Sequence, residues 1–500
     1  MAINAGDNLN SVPAPQQQTL STNYLDLASA TNAGFSQQYL PDLMAQEAEV
    51  FGPRTISGFL AQVGAEEPMQ ADQVIWSEQG RLHLSYKGRL TDTTSFIVQR
   101  DIDGAKGAGT GTTGISNGLS GIHHGIRVND TVIVSDANQV RKAIVTAVST
   151  DDVTLAPYGT ALTATNTAIG TTILVYGSEY IKGKSYTNAA GNAASDSRPA
   201  NEPDFKTFSN KPIIMKDYYE VSGSDASRVG WVEVTSETGM AGYLWYLKAE
   251  SDTRSRFTDY IEMSMLESVK TDDSVAETTV DDFLYGADGG EVVGTQGLFD
   301  AIEDRGNITT GVTGVNAATD LAEFDAILKE FDKQGAIEEY MMFVNRDTSL
   351  AMDDMLASMN SYGAGGTSYG VFENDEQMAL NLGFAGFRRG SYDFYKSDFR
   401  YLNDKATRGG INDAAGANAI RGVMIPAGVS TVYDQQMGKN LKRPFLHVRF
   451  RASQTDDRRM KSWVTGSVGA ATSALDAMQI HMLTERCLVT QGANNFMLMK

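Results

Sequence analysis

Residues Ser236–Lys270 read SETGMAGYLWYLKAESDTRSRFTDYIEMSMLESVK, and this segment has the pattern of one long helix. No proline interrupts it, and its apolar residues recur at spacings of three and four, which indicates one buried helical face. We therefore predict a single spine helix of about 50 Å. The alternative is two helices separated near Ser251–Ser255, where the apolar spacing lapses. The predicted buried face comprises Met240, Leu244, Leu247, Phe257, Ile261, Met265 and Val269.

The composition is that of a large protein with substantial cores. The chain has 500 residues, of which 41% are hydrophobic, and this length corresponds to about three domains or to one elaborated fold. No apolar run is long enough to cross a bilayer, and the first residues lack the basic and apolar parts of a secretory signal. Cys487 is the only cysteine, so no intrachain disulfide can form, which is typical of a reducing compartment.

Charge is distributed unevenly along the chain. The net charge is −21, which opposes binding to a nucleic-acid backbone unless a basic patch is segregated. The segment Lys439–Lys461 has eight Lys and Arg residues against two Asp, whereas Asp272–Asp304 contains no Lys or Arg. Such opposite segments are either complementary surfaces for copies of the same chain or ordinary solvated faces.

Residues 1–38 form a polar N-terminal arm in which Asp7 and Asp26 are the only charges. A segment with so little apolar surface cannot offset its own ordering entropy, so we expect neighbouring subunits to order it. It also shows no helical periodicity.

Alternating apolar residues predict a β-rich region before the spine helix. We predict a hairpin over Gln73–Tyr86 and a small barrel or sandwich over Ile126–Tyr176, bounded by Gly- and Asn-rich loops that mark it as an insertion. The strand Lys211–Val221 is expected to pair with the strands that precede this insertion.

Mixed α/β sequence follows the spine helix. The patterns predict helices over Leu321–Lys333 and Thr348–Met359, and loops over Tyr362–Tyr369 and Gly409–Ala419. Predicted strands are Glu339–Val344, Phe384–Arg388, Ser391–Ser397, Gly422–Ile425, Arg443–Ala452 and Lys461–Val468, with a less regular strand over Ile480–Val489.

Few residues have the arrangement that catalysis or metal binding requires. Gly109–Gly114 matches a dinucleotide fingerprint, but the residues after it are unsuited to begin a helix, so we interpret it as a loop. His123 and His124 are adjacent on a Gly-rich loop, and Cys487 is interpreted as a buried apolar thiol. The carboxylate pairs Asp281–Asp282 and Asp353–Asp354 are interpreted as surface acids. We therefore assign no catalytic, cofactor-binding or metal residue, expect no cofactor, and favour a structural role.

The order of these parts resembles the major capsid proteins of tailed bacteriophages. Local sequences that carry the resemblance are Asn210–Ile214 and Val221–Gly223 before the spine, and Glu485–Val489 near the end. The resemblance implies an α+β, HK97-like capsid fold with an extended β-hairpin loop, a long spine helix, an axial α/β domain and an inserted small β-barrel. The implied parts are an N-terminal arm (1–72), the two halves of the extended loop (73–125 and 181–235), the inserted β domain (126–180), the peripheral domain (236–294), the axial domain (295–437) and a β-rich return (438–500).

The same resemblance implies a function and partners. The chain would assemble with itself into hexamers, pentamers and an icosahedral virion shell that encloses double-stranded DNA without sequence-specific binding. It would be made in the host bacterial cytoplasm and would meet a portal, a scaffolding protein and possible decoration proteins, but no membrane. The alternatives are a β-rich enzyme with a loop-built site, or a non-viral self-assembling shell or surface protein.

Some relatives join a Lys of the extended loop covalently to an Asn of a neighbour, beside a buried Glu. The candidates in this chain would be Lys182, Lys184 and Lys211, with Asn440, Asn494 and Asn495. The reaction requires a lysine in apolar surroundings beside a carboxylate, and the surroundings of these lysines are polar, so we expect a non-covalent shell.

Overall fold

The computed structural model contains two compact units. One comprises the described residues of 71–211 with 489–494, and the other comprises the described residues of 66–70, 212–488 and 495–500. The residues whose structure is described are 66–79, 85–101, 113–116, 123–165, 169–182, 205–227, 234–235, 241–242, 245–271, 280, 283–284, 293–334, 337–359, 386–427, 429–434, 439–468 and 471–500. Several parts of the predictions lie outside these ranges: the N-terminal arm up to residue 65, Met240 and Leu244 of the spine segment, Asp281–Asp282 and the loop 362–369.

A closed six-stranded barrel forms most of the first unit. Its strands are β3 (Ser85–Leu90), β4 (Ser95–Asp101), β5 (Asp130–Ser135), β6 (Val140–Val148), β7 (Asp152–Pro157) and β8 (Thr171–Ser178). They follow the order β3-β4-β7-β6-β5-β8, and alternate residues such as Phe96, Val132 and Ile173 fill the interior with no exposed surface. The ends of the predicted insertion lie together, because the Glu179 amide donates to the Asn129 carbonyl at 3.0 Å.

The predicted hairpin over Gln73–Tyr86 is wrong. Its first strand, β2 (Val74–Gln79), pairs antiparallel with β9 (Phe205–Asn210) to form a two-stranded ribbon, while Tyr86 belongs to barrel strand β3. The barrel therefore also takes in β3 and β4, which the sequence placed in the extended loop. Alternation predicts that a strand has two different faces, but it does not specify which strand will be its partner.

A five-stranded sheet in the second unit is organised around one long strand. The strands are β1 (Glu66–Met69), β10 (Ile213–Ser222), β20 (Leu446–Arg451), β21 (Lys461–Gly466) and the long β22 (Ala477–Thr490). Their order is β1-β20-β22-β10, and β21 also pairs with β22. Strand β10 pairs along ten residues with β22, from Ile213 opposite Arg486 to Ser222 opposite Ala477. The prediction that this strand pairs with those before the insertion is therefore wrong.

The spine helix is continuous but shorter than predicted. After the four-residue helix α1 (Gly223–Ala226), helix α2 runs over Trp245–Glu267, about 35 Å, and includes Ser251–Ser255, so the two-helix alternative is wrong. Residues 234–242 instead contain a short antiparallel pair, β11 (Val234–Thr235) and β12 (Ala241–Gly242). Phe257 and Ile261 pack against Met482 of the five-stranded sheet. Val269 lies beyond the helix end and is exposed, contrary to the predicted face.

The six-stranded mixed sheet matches most predictions for the α/β region. Its strands are β13 (Asn307–Thr309), β14 (Glu339–Val344), β15 (Gly386–Arg389), β16 (Tyr392–Asp398), β17 (Gly422–Pro426) and β23 (Met497–Met499). The order is β13-β23-β17-β14-β16-β15, with β14 parallel to β16 and antiparallel to β17. Three helices, α3 (Leu298–Arg305), α4 (Ala317–Gln334) and α5 (Arg346–Met359), accompany it.

The predicted loop over Gly409–Ala419 is wrong, because helix α7 (Arg408–Ala415) and a 3₁₀ turn (Gly416–Asn418) occupy it. The Asn412 side chain bonds both backbone groups of Ile420, at 2.8 and 3.0 Å, which holds the end of this segment in place. The Gly- and Ala-rich composition of this stretch therefore gave no sequence signal for the helix that forms there. The remaining elements are α6 (Arg400–Asn403), β18 (Val429–Asp434), β19 (Lys439–Pro444) and the 3₁₀ turn Ala493–Asn495.

Two apolar clusters hold the second unit together. One joins the end of α2, at Met265 and Leu266, to Leu298, Val423 and Val448. The other packs Phe324 and Phe331 of α4 against Tyr340 and Phe394 of the mixed sheet, with the Phe331 and Tyr340 rings stacked at 4.2 Å. Fully burying such side chains stabilises a fold by about 1.5–3 kcal/mol each.

Candidate assembly surfaces

Cys487, which the sequence singled out as a candidate nucleophile, is buried in the fold. The Cys487 side chain lies in β22 with no exposed surface, and burial raises its pKa to about 12. A thiol with this pKa is protonated at neutral pH, and the protonated form is a poor nucleophile. The interpretation of Cys487 as a buried apolar thiol is confirmed.

The end of the glycine-rich segment covers the barrel. The Ser116 amide and hydroxyl donate to the two carboxylate oxygens of Asp151, at 2.9 and 2.5 Å. A side chain at Gly114 would overlap the Asp151 carboxylate. Residues 113–116 contain a turn and no helix start. This part of the segment therefore packs as a loop, as predicted.

His124 is a neutral side chain of the barrel. Its Nδ1 accepts from the Ile126 amide at 3.2 Å, and its ring lies edge-on to Tyr86 at 6.0 Å. Desolvation lowers its pKa to about 4, and this effect outweighs the opposing field of Asp151. Within the described ranges, no group of three or more His, Cys, Asp or Glu is placed to hold a metal ion.

The carboxylate pair at Asp353–Asp354 divides into two environments. Asp353 and Lys396 form a buried ion pair between α5 and β16, in which the Lys396 ammonium also donates to the Ser349 carbonyl at 3.2 Å. Asp354 is exposed on α5. The interpretation of both residues as surface acids is therefore wrong for Asp353, whose partner comes from a strand distant in sequence.

The described cations of the basic segment 439–461 are paired with acids of the same chain. Glu485, with its side chain only 6% exposed, binds Arg451 at 2.6 Å and Arg458 at 2.5 Å. Arg449 pairs with Glu67 at 2.8 Å, and Lys461 pairs with Asp456 at 2.6 Å. Arg459 pairs with Glu66. Among the described cations, these contacts favour the interpretation of this segment as an ordinary solvated face over a complementary surface for another copy.

Glu485 and Arg486 belong to a sequence quoted for the capsid resemblance, and both hold the sheet together. The Arg486 guanidinium donates to the Arg459 carbonyl at 2.6 Å, to the Thr484 hydroxyl at 2.9 Å and to Glu66 at 3.3 Å. These bonds tie β22 to the ends of β21 and β1. The role of this motif in the described chain is therefore positional.

One face of the five-stranded sheet carries an exposed row of rings. Tyr218, His481 and Trp463 lie directly opposite one another on β10, β22 and β21. The His481 ring stacks between the other two, with centroids 6.1 Å from Tyr218 and 5.2 Å from Trp463. Tyr218 is 59% and Trp463 is 38% exposed. The opposite sheet face packs against α2, so this row is the outer face of that layer.

The two-stranded ribbon is a second surface with exposed apolar residues. Trp76 lies opposite Phe208 with ring centroids 6.3 Å apart, and the Trp76 indole donates to Glu78 at 2.9 Å. Ile75, on the other side of the ribbon, is 65% exposed. A two-stranded ribbon is at best marginally stable in water, so contacts that cover its faces would stabilise it.

The mixed sheet ends in two strands with only one partner each. Within the described part of the chain, β13 pairs with β23 and β15 pairs with β16. Ile308 of β13 is exposed. Edge strands offer unpaired backbone groups to another chain.

The candidates for a covalent linkage fall only partly within the described residues. Lys182 is exposed, and Lys211, Asn494 and Asn495 are half-buried. Lys184 and the side chain of Asn440 lie outside the described positions. The non-covalent expectation therefore stays a prediction.

Sequence comparison does not assign the chain to a family. No protein-family model and no curated protein matches it. Similar solved structures do exist. A chain of Microbacterium phage Oxtober96 is 9% identical, with 94% of this chain and 98% of that chain covered and a TM-score of 0.38.

Two further neighbours carry capsid titles. A chain of the capsid of a native GTA particle is 11% identical, with coverage of 95% and 98% and a TM-score of 0.35. A chain of the bacteriophage PhiM1 mature capsid is 9% identical, with coverage of 64% and 78% and a TM-score of 0.32. None of the helices described for this chain is long and apolar enough to span a bilayer.

The aromatic row and the two sheet edges were missed in the sequence. Alternation along β10 and β21 identifies which residues share a face of each strand, but only the register across β22 places Tyr218 beside His481 and Trp463. The only signal in the sequence was an aromatic residue at an outward position on each of two strands, Tyr218 on β10 and Trp463 on β21.

Proposed function

We propose that this chain is a structural, non-enzymatic major capsid protein that assembles with itself into capsomers and an icosahedral shell around double-stranded DNA. The observation that carries the proposal is the ribbon-and-barrel unit. Strands β2 and β9, far apart in sequence, pair over six residues each, and the six-stranded barrel is formed by the chain between them. Trp76, on one face of the ribbon, is already buried within the chain, whereas Ile75 on the other face is 65% exposed and would be covered by a contact between copies.

Two further surfaces support assembly between copies. The row Tyr218–His481–Trp463 is an exposed aromatic face, and Trp and Tyr are enriched among residues that dominate protein interfaces. The mixed sheet provides edge strands at β13 and β15, whose unpaired backbone groups are available to another chain. In this proposal the fold is HK97-like, with α2 as spine and the mixed sheet as axial domain.

The proposed partners follow from the same role. The chain would be a virion component made in the host cytoplasm, arranged as hexamers and pentamers, with a portal, a separate scaffolding protein and possible decoration proteins. DNA would be enclosed without sequence-specific contacts, which a net charge of −21 favours because phosphate backbones are repelled.

Particle size tests the proposal directly. The full chain, expressed alone and with candidate scaffolding proteins from the same genome, should sediment as capsomers or shells visible by negative-stain electron microscopy. Two single variants are compared. Trp463→Ala removes a ring of the aromatic row, and the control Leu350→Ala removes an exposed side chain of α5 outside that row. The proposal predicts loss of particles for Trp463→Ala alone. A monodisperse monomer at all concentrations and in every co-expression would overturn it.

A further inference from the structure

Three cations share the outer surface of barrel strands β3 and β4. Lys87 lies directly opposite Arg100, and Arg89 lies two residues along β3, on the same face as Lys87. The alternate residues Tyr86 and Leu90 point into the barrel core. Directly opposed side chains on paired strands are about 5 Å apart at Cβ, so the three charges form one cluster.

This cluster has no anionic partner within the described residues. In that part of the chain no ion pair involves Lys87, Arg89 or Arg100, and the Arg89 Nε is buried without a hydrogen-bond partner. The nearest acids in the register are Asp101, which lies opposite the core residue Tyr86 and is only 6% exposed, and Asp152, opposite Ile97 on the next strand. A carboxylate that reached this cluster would form charge-assisted hydrogen bonds with its guanidinium and ammonium groups.

The cations of the barrel cluster differ from those of the basic segment 439–461 in how they are paired. There the described cations are paired with acids of the same chain, as Arg449 is with Glu67 and Arg451 with Glu485. The barrel cluster is left uncompensated in a chain whose net charge is −21. The matching negative charge lies in segment 272–291, which has seven acidic residues and no Lys or Arg: Asp272, Asp273, Glu277, Asp281, Asp282, Asp288 and Glu291.

We propose that the barrel face formed by Lys87, Arg89 and Arg100 binds the acidic segment 272–291 of a second copy of this chain. The inference rests on the proposed self-assembly and names one contact that it would use. Complementary charge of this kind sets which surfaces meet and speeds their encounter more than it adds affinity. The occupant is an acidic segment of a second copy because segment 272–291 has seven acids and no Lys or Arg to set against the three cations.

Zero-length crosslinking tests the contact in the full chain. A carbodiimide joins a lysine amine to a carboxylate only when the two are in contact, and a mixture of ¹⁴N- and ¹⁵N-labelled chains separates intermolecular from intramolecular products by mass spectrometry. We expect mixed-isotope peptides that join Lys87 to segment 272–291. The variant Arg100→Lys adds a second amine and should give the same product at residue 100.

Lys142 provides the matched control, since it is an exposed lysine on strand β6 of the same barrel. It should give at least tenfold less crosslink to 272–291 than Lys87. The variant combining Lys87→Gln, Arg89→Gln and Arg100→Gln should lower the association rate of copies at least tenfold at low salt and little at high salt, where charges are screened. Retained barrel β-structure by circular dichroism would show that this variant folds.

Each other outcome overturns the contact. Particles that form without a Lys87 crosslink would leave the shell proposal standing and refute this contact. If Lys87 crosslinks to the segment were found only as single-isotope products, with no mixed-isotope product, the contact would lie within one chain. Binding of duplex DNA that requires the three cations and abolishes the crosslink would assign the surface to nucleic acid. If no particles form, the concentrated chain is crosslinked in the same way, and absence of the mixed-isotope product there refutes the contact independently.

Discussion

Glu485 is the residue whose replacement tests the ion-pair network of the five-stranded sheet. Its carboxylate, 6% exposed, holds Arg451 at 2.6 Å and Arg458 at 2.5 Å. Glu485→Gln keeps the shape of the side chain and removes its charge, so two guanidinium groups lose their shared anion. Neither arginine is fully exposed, since 26% and 34% of their side chains reach solvent.

The expected loss lies between two limits. Removing one partner of a fully buried pair costs about 3–5 kcal/mol, whereas an exposed pair contributes about 0–1 kcal/mol. Because solvent screens the two arginines in part but barely reaches the carboxylate, we expect Glu485→Gln to lower the free energy of unfolding by about 2–3 kcal/mol.

Urea unfolding followed by tryptophan fluorescence measures this change, because Trp463 lies on β21 of the same sheet. With a slope of about 3 kcal/mol per M, the midpoint should fall by about 1 M. The matched control is Glu330→Gln, whose side chain is 46% exposed and pairs with Lys333 on the surface of α4. It should change the free energy by no more than about 0.5 kcal/mol. Equal midpoints for the two variants would refute the reasoning that burial sets the strength of the Glu485 pairs.

Four further outcomes are expected. Cys487, whose pKa is raised to about 12, should resist alkylation at pH 8 in the folded chain and react once the chain is unfolded in urea; rapid modification of the folded form would contradict its burial. Phe257→Ala should destabilise the sheet–helix contact by about 3–5 kcal/mol, whereas Tyr260→Ala, at an exposed position of the same helix, should have little effect. The pKa of His124 is about 4 in the folded chain and 6.5 in the unfolded chain, so the unfolded chain binds the proton first as the pH falls. The free energy of unfolding should therefore fall as the pH drops from about 6.5 to 4. His124→Gln should remove the His124 contribution to this pH dependence, and an unchanged dependence would refute the assignment. Mature particles should give a 54.0 kDa monomer band on a denaturing gel, and a ladder of multiples would indicate covalent linkage.

Elements with strong local patterns were predictable from the sequence. The strand Glu339–Val344 was placed with its observed bounds, and helices α4 and α5 were found within a few positions of their ends. Apolar spacing identifies such elements because one face of each must be buried, whatever packs against it. The helix over Arg408–Ala415 was missed because its Gly- and Ala-rich sequence has little apolar periodicity of its own.

Charge was the property that the sequence described least well. A run of cations between residues 439 and 461 looked like a basic surface, yet its described members pair with Glu66, Glu67, Asp456 and Glu485. Conversely, Lys87, Arg89 and Arg100 are spread over fourteen residues and formed no visible cluster until β3 and β4 paired. Coulomb energy depends on distance in space, which linear order does not give for residues on different strands.

Local sequence is enough to specify most of the helices and strands, the inward residues of the barrel and the burial of Cys487, because these follow from periodicity and the exclusion of apolar groups from water. The strand partners appear only once the chain is folded: β2 with β9, β10 with β22, and the closure of β3 and β4 into the barrel. The reason is that backbone hydrogen bonds are the same for every strand, so partner and register are selected by long-range packing of side chains. The aromatic row at Tyr218, His481 and Trp463 exists only in that register, as does the cation cluster on the barrel.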